Sequence, residues 1–247
     1  VQLEPNAVPQ PKQLIAPRAL DIIQTPSPNF GPRRDGARPS LIVLHYTAMK
    51  SAEAACKTLC NPDTEVSAHY LISSKGVIQQ LVAEEMRAWH AGVGQWGEIT
   101  DVNSHSIGIE LDNLGTHGFA EPQMAALELL LPQIMQRWSI PAQNVIGHSD
   151  LAPHRKIDPG PRFDWKRLAL QGLAVWPDNV AAPVDMWWWK DLADSFGYPI
   201  FGDFGEDVDA EAACFQAFRS RFRPWAKGPQ DQEDARIMAR LAAQSTQ

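Results

Sequence analysis

Compact apolar runs alternate along this chain with stretches in which apolar residues recur every three or four positions. SLIVLHYT (40–47) is a continuous apolar run of strand length, the pattern of a strand buried on both faces. AEAACKTLC (52–60) has helical spacing and stops at Asn61-Pro62. VSAHYLIS (66–73), a Ser-Lys-Gly turn and VIQQLVA (77–83) predict a hairpin. SIGIELD (106–112) predicts a further strand, and EPQMAALELLLPQIMQRW (121–138) a long amphipathic helix with Pro122 in its first turn. NVIGH (144–148) predicts a short strand and FDWKRLALQGL (163–173) a closing helix. Strands interleaved with helices over 40–174 make an α/β domain.

The flanks read differently. Residues 1–39 carry Pro5, Pro9, Pro11, Pro17, Pro26, Pro28, Pro32 and Pro39. Proline lacks a donor and fixes φ, so an extended arm is expected there rather than regular structure. VWPDNVAAPVD (175–185) reads as a linker. Residues 186–247 hold three helical segments, 186–196, 209–222 and 231–243, punctuated by Gly197, Pro199, Gly202, Pro224, Gly228 and Pro229. They predict a small helical domain near the lower size limit for folding alone.

Composition removes several function classes. The 247 residues are 44% hydrophobic and 21% charged, an ordinary globular balance. A net charge of −7 argues against a nucleic-acid partner, and no Lys/Arg run suggests an anionic membrane surface. No apolar stretch approaches the ~20 residues of a membrane span. No apolar signal segment opens the chain, and the reading leaves cell envelope and cytoplasm both open. The three cysteines, an odd number, exclude a full disulfide framework. Cys56 and Cys60, four apart on the 52–60 helix, read as small buried apolar side chains.

The chemistry concentrates in GHSDLAPHRKIDPGP (147–161), which gathers His148, His154, Lys156 and Asp158. His45 stands near the carboxyl end of strand 40–47, where open α/β folds place their sites. Two histidines and one aspartate from separate elements make a plausible N₂O set for zinc, leaving a fourth position for water as catalytic zinc requires. Zinc lowers the pKa of such a water to about 7. Glu110, in the otherwise apolar SIGIELD, is costly there unless paired or functional, and offers a base. Lys156 can point a cation at a developing oxyanion. Taken singly, each residue has a plainer reading: a strand histidine is usually a hydrogen-bonded core residue, and Asp158 before Pro159-Gly160 an ordinary turn residue.

Six stretches resemble the type 2 N-acetylmuramoyl-L-alanine amidases in that family's order: SPNFGPR (27–33), LIVLHYTA (41–48), VSAHYLIS (66–73), RAWHAG (87–92), NSHSIGIELDN (103–113) and GHSDLAPHRKIDPGP (147–161). That family includes bacterial AmpD-like enzymes, T7-type phage amidases and the peptidoglycan recognition proteins. The resemblance implies a mixed central sheet flanked by helices and zinc on His45, His148 and Asp158. It implies catalysis by Glu110 and Lys156, with Trp89, His90 and Asn103 lining the substrate. The bond cut would join the lactyl group of N-acetylmuramic acid, ordinary or 1,6-anhydro, to L-alanine in peptidoglycan or muropeptides. His154 stands where bacterial members usually carry a small residue; it is expected to add a substrate contact or a hydrogen bond behind the ligands, against the plainer reading of an exposed surface residue. Residues 192–243 resemble the three-helix peptidoglycan-binding module of some envelope amidases, which leaves a stabilising extension and a glycan-binding domain as alternatives.

Other patterns lead elsewhere. GVGQWG (92–97) matches the dinucleotide fingerprint in letters but lies between no strand and no helix, and reads as a loop rimming the cleft. His69 reads as a core histidine, His105 and His117 as loop residues, and MWWWK (186–190) as an anchor between the two domains. Adjacent Glu84 and Glu85 could suggest paired glycosidase carboxylates, but neighbours in sequence rarely face one cleft at the required separation. The main rival is a non-catalytic peptidoglycan-binding protein on the same fold, disfavoured because all three ligands and both catalytic candidates are present. A zinc peptidase would need an H-E-x-x-H helix, which is absent.

Overall fold

The computed structural model describes residues 20–177, 188–202, 204–205 and 207–245. Six strands form a mixed sheet: β1 (Ile22–Gln24), β5 (Ile78–Gln80), β4 (Tyr70–Ile72), β7 (Ser106–Leu111), β3 (Leu41–Tyr46) and β8 (Val145–Gly147), in that spatial order. β4, β7, β3 and β8 run parallel; β5 is antiparallel to β4, and β1 parallel to β5. A separate antiparallel pair joins β2 (Phe30–Pro32) to β6 (Met86–Ala88). This is the expected α/β fold with a mixed central sheet flanked by helices.

β3 shows why its sequence has no polar gap. Leu41, Ile42, Val43 and Leu44 are fully buried because both faces of the sheet are covered. Ile42 and Leu44, with Ile107 and Ile109 of β7, pack on α3 (Glu121–Trp138) through Leu127, Leu130 and Ile134, and on α5 (Trp165–Ala169) through Leu168. Leu41, Val43 and Ile146 face the other way, onto α6 (Trp189–Phe196), α7 (Ala210–Phe222) and α8 (Gln232–Ser245). Each such side chain stabilises by about 1.5–3 kcal/mol through burial. The C-terminal helices therefore do not stand apart. They form the layer covering the second face of the sheet.

A buried ionic knot fastens that layer. Arg221 of α7 donates to Asp150 Oδ2 at 2.6 Å and to the Val145 carbonyl at 3.0 Å. Tyr198 Oη donates to Asp150 Oδ1 at 2.9 Å, and the Gly147 N–H to Oδ2 at 2.8 Å. The Arg221 guanidinium lies 4.1 Å from the Trp165 ring centroid.

Some expectations need correction. The proline-rich arm is not devoid of regular structure, since β1 extends the sheet edge and β2 pairs with β6. Ile22, Ile23 and Gln24 precede the first of its described prolines, Pro26, and the ladder ends within a few residues of it. The 66–73 strand shortens to β4, and the 163–173 helix to α5, which a turn at Gly172 follows. GVGQWG does not rim the cleft. Trp96 is buried against Phe196 and Tyr198, and Gly94 lies so close to Leu151 that a Cβ would meet its Cδ1 at 2.4 Å. Cys56 and Cys60 are half-buried rather than buried, on α1 (Ala52–Leu59) and at its C-terminal end. Most of the 175–185 linker, and Met186 and Trp187, lie outside the described residues; Trp189 is the anchoring member of the tryptophan run, and Trp188 is exposed. Glu84 is spent structurally, accepting from Tyr70 Oη, Arg137 and Trp138 Nε1.

Candidate active site

Three elements end at one point. His45 lies near the carboxyl end of β3, and His148 follows β8 directly as the first residue of the short helix α4 (His148–Leu151). Asp158 arrives on the following loop, held by a 2.9 Å hydrogen bond from the Ser149 N–H to its carbonyl. Its bond to Pro159 is cis. His45 Nδ1, His148 Nδ1 and Asp158 Oδ2 lie 3.0 to 3.1 Å from one another. The three residues are almost wholly buried.

The donor set answers whether a metal fits. His148 Nε2 donates to the Ala91 carbonyl at 2.9 Å, so in the neutral ring Nδ1 is a lone pair aimed at the other two ligand atoms. Burial first, then the neighbouring His148, lowers the His45 pKa to about 4, so near neutral pH the His45 ring carries no charge. Lone pairs gathered this closely, with a carboxylate among them, repel unless a cation sits between them. Two imidazole nitrogens and one carboxylate oxygen suit zinc, with one side left for water or substrate.

Glu110 stands beside His45. The β3–β7 register pairs the two residues, which places their side chains on the same face of the sheet. Glu110 Oε2 is buried with no hydrogen-bond partner. Burial and then the Asp158 charge push its pKa up to about 8, against the pull of Lys156. A carboxyl left unpaired in a cleft is a proton-transfer group in waiting.

These residues open onto a cleft of about 360 Å³, whose wall includes Trp89, Lys156, Arg155, Tyr46 and Ile157. Of the expected substrate-lining residues, Trp89 is half-buried in that wall, and His90 lines it too, with both ring nitrogens engaged. Asn103 and His154 stand outside the wall. Asn103 is buried, and its Oδ1 accepts from the His90 and Ala91 N–H groups at 3.1 and 2.8 Å, which fixes the loop behind the ligands. His154 stacks on Phe204 of the C-terminal layer, ring centroids 4.2 Å apart. Their motif neighbours pointed toward the site, but their side chains turn to packing.

Two arginines escaped the sequence reading. Arg155 donates to the Ala91 carbonyl at 2.5 Å and to the Val93 carbonyl, clamping the same loop. Arg33 donates to the carbonyls of Glu84, Ser104 and Ser106, and burial lowers its pKa to about 10. Arg33 closes the SPNFGPR stretch, but no local spacing announces that its partners are backbone carbonyls 51 or more residues away.

Fold and site together define a hydrolase of α/β architecture with a candidate metal centre. Comparison with known proteins names the class. The family model described as N-acetylmuramoyl-L-alanine amidase matches residues 35–161. The chain is 36% identical over 214 residues to the N-acetylmuramoyl-L-alanine amidase AmiD of Escherichia coli (strain K12), covering 76% of each chain. It is 36% identical over 169 residues to the 1,6-anhydro-N-acetylmuramyl-L-alanine amidase AmpD of Salmonella typhimurium (strain SL1344), covering 61% of this chain and 90% of that one. The structure of E. coli AmiD with the substrate anhydro-N-acetylmuramic acid-L-Ala-D-gamma-Glu-L-Lys superposes with a TM-score of 0.74 at 34% identity, over 86% of this chain and 91% of that one. AmpDh3 of Pseudomonas aeruginosa in complex with anhydromuramic pentapeptide gives 0.75 at 33%, over 85% and 94%. The chain belongs to the N-acetylmuramoyl-L-alanine amidase family and is an enzyme of that class. Among the described residues, no helix is long and apolar enough to cross a membrane.

Proposed function

We propose that this enzyme hydrolyses the amide between the lactyl group of N-acetylmuramic acid, including its 1,6-anhydro form, and L-alanine in peptidoglycan fragments, with zinc held by His45, His148 and Asp158. The observation that carries this reading is the convergence of three ligand atoms beside the unpaired carboxyl of Glu110. The substrate bound to the AmiD relative, and the anhydromuramic pentapeptide bound to AmpDh3, support this choice of bond.

Zinc, when bound, supplies Lewis acidity that polarises the amide carbonyl and acidifies the attacking water. The chain's own residues do the rest. Glu110 takes the water proton as the new C–O bond forms. Lys156, on the cleft wall, faces the negative charge that gathers on the carbonyl oxygen. As the C–N bond breaks, Glu110 or Lys156 returns a proton to the departing amine of L-alanine. Trp89 offers an apolar face to the sugar or the peptide.

The test is mass spectrometry of MurNAc-L-Ala-D-Glu-diaminopimelate after incubation with the protein, with and without a chelator, and with Glu110→Ala alongside. The expected outcome is a free peptide beginning with L-alanine, lost under chelation, restored by zinc and absent with the variant. Intact muropeptide in a zinc-loaded sample sinks the assignment.

A further inference from the structure

The hydrogen bonds behind His45 form a chain whose proton positions are fixed from its far end. Ser106 Oγ lies 2.6 Å from the Val102 carbonyl oxygen. Two oxygens approach this closely only with a proton between them, and the hydroxyl alone has one to give. The same Oγ lies 3.1 Å from His90 Nε2. With its proton committed to Val102, Oγ can only accept there, so His90 carries hydrogen on Nε2. With that one proton on Nε2, the Nδ1 of the uncharged His90 ring is a bare lone pair. His45 Nε2 lies 3.0 Å from that lone pair. His45 donates to it through Nε2, which leaves Nδ1 bare on the ligand side even though Asp158 Oδ2, an acceptor 3.0 Å away, competes for that proton.

Resting on the metal-centre reading above, we propose that His90 and Ser106 are positioning residues that lock the His45 ring in the Nε2–H tautomer, so that Nδ1 always faces the metal as a lone pair. Without the lock, a neutral imidazole divides between two tautomers, and one of them aims a proton at the cation. His148 has a simpler lock in the Ala91 carbonyl. His45 cannot use a carbonyl directly, because the His90 ring fills the space behind it. The ring planes of His45 and His90 meet at 79° with centroids 5.1 Å apart. Gly108 keeps that space open: a Cβ there would meet His90 Cγ at 2.4 Å. Ring and strand are fitted to each other, as a positioning partner requires.

Two measurements test the lock. Long-range ¹H–¹⁵N correlation of the imidazole rings in the metal-free wild-type protein reads each tautomer directly. The expected spectrum shows His45 and His90 each protonated on Nε2 only; Nδ1–H on either ring overturns the proposal, whether or not the protein binds zinc. Chelator competition then gives zinc affinities. His90→Phe is expected to weaken zinc binding by about 10–100-fold, the usual range for losing a ligand's hydrogen-bond partner. His90→Asn, whose Oδ1 can accept in place of Nδ1, is expected to recover most of that loss. Equal losses in the two variants would mean that only packing had been disturbed, and an unchanged affinity in His90→Phe would also overturn the lock. A wild-type protein that takes up no zinc would instead refute the metal-centre reading, while the tautomer spectrum would still decide the lock.

Discussion

His148 and Asp150 are two residues apart, yet they serve buried charge assemblies in opposite states. The Asp150 carboxylate is saturated: its oxygens accept from Arg221, Tyr198 and the Gly147 N–H, and the Arg221 charge faces it at 2.6 Å, although Arg221 Nε itself finds no partner among the described residues. The assembly around His148 is unsaturated. Its lone pairs face one another, and Glu110 has a buried oxygen with no partner at all. A fold selected for stability alone would not leave a carboxyl orphaned beside an aspartate, because the desolvation is uncompensated. The contrast separates residues that hold the molecule together from residues kept ready for a ligand or a proton.

The largest effect should come from the unsaturated side. Glu110→Gln keeps shape and removes proton transfer, so kcat is expected to fall by about 10²–10⁴-fold. Thermal stability should stay level or rise, because the substitution removes an ionisable group that burial disfavours. A melting temperature several degrees lower would mean that Glu110 belongs with the structural assembly, and the contrast would fail there. On the saturated side the signs reverse. Arg221→Met leaves Asp150 buried without its cation and is expected to cost about 3–5 kcal/mol of stability. Denaturant midpoints of the variant and wild type measure this, and a loss under about 1 kcal/mol would show that the knot is dispensable.

The sequence made the unsaturated assembly far more legible than the saturated one. His45, Glu110, His148, Lys156 and Asp158 sit in short motifs at strand ends, and residue type together with position already suggests chemistry. β3 and β7 were legible for a related reason, since burial on both faces leaves an unbroken apolar run. The Asp150–Arg221 contact spans 71 residues, and neither partner's neighbourhood names the other. β1 was hidden in the same way: its partner β5 lies more than 50 residues on, and nearby prolines argue against a strand. His154 and Asn103 show the reverse case, since both lie outside the cleft wall. They lie within site motifs, but side-chain direction depends on loop conformation, which no local pattern encodes. Ser106 and His90 fall between these cases, visible as residue types and meaningful only once their distances to His45 are known.

His69 sharpens the comparison from within the saturated class. It is fully buried, Nδ1 accepts from the Gly108 N–H at 2.9 Å and Nε2 reaches the Met86 carbonyl at 3.1 Å. Every site on the ring is used, so a second proton has nowhere to go without breaking the bond from Gly108. Burial first, and then the Arg33 charge, lowers its pKa to about 3, against about 6.5 in an unfolded chain. Between those values the unfolded chain binds a proton that the native protein refuses. Stability from this residue is therefore complete above pH 6.5 and declines as the pH falls, by about 1.4 kcal/mol per unit, until the native ring titrates. From pH 7 to pH 5 the loss is about 2 kcal/mol. Urea denaturation of the metal-free protein at the two pH values, for wild type and His69→Asn, isolates that share: the pH-dependent drop should be smaller by about this amount in the variant, whatever its absolute stability. Equal drops would place the His69 proton in the folded protein as readily as in the unfolded one. Saturation of its hydrogen bonds would then not have made the ring resist protonation, and the line drawn between the two assemblies would need to rest on charge alone.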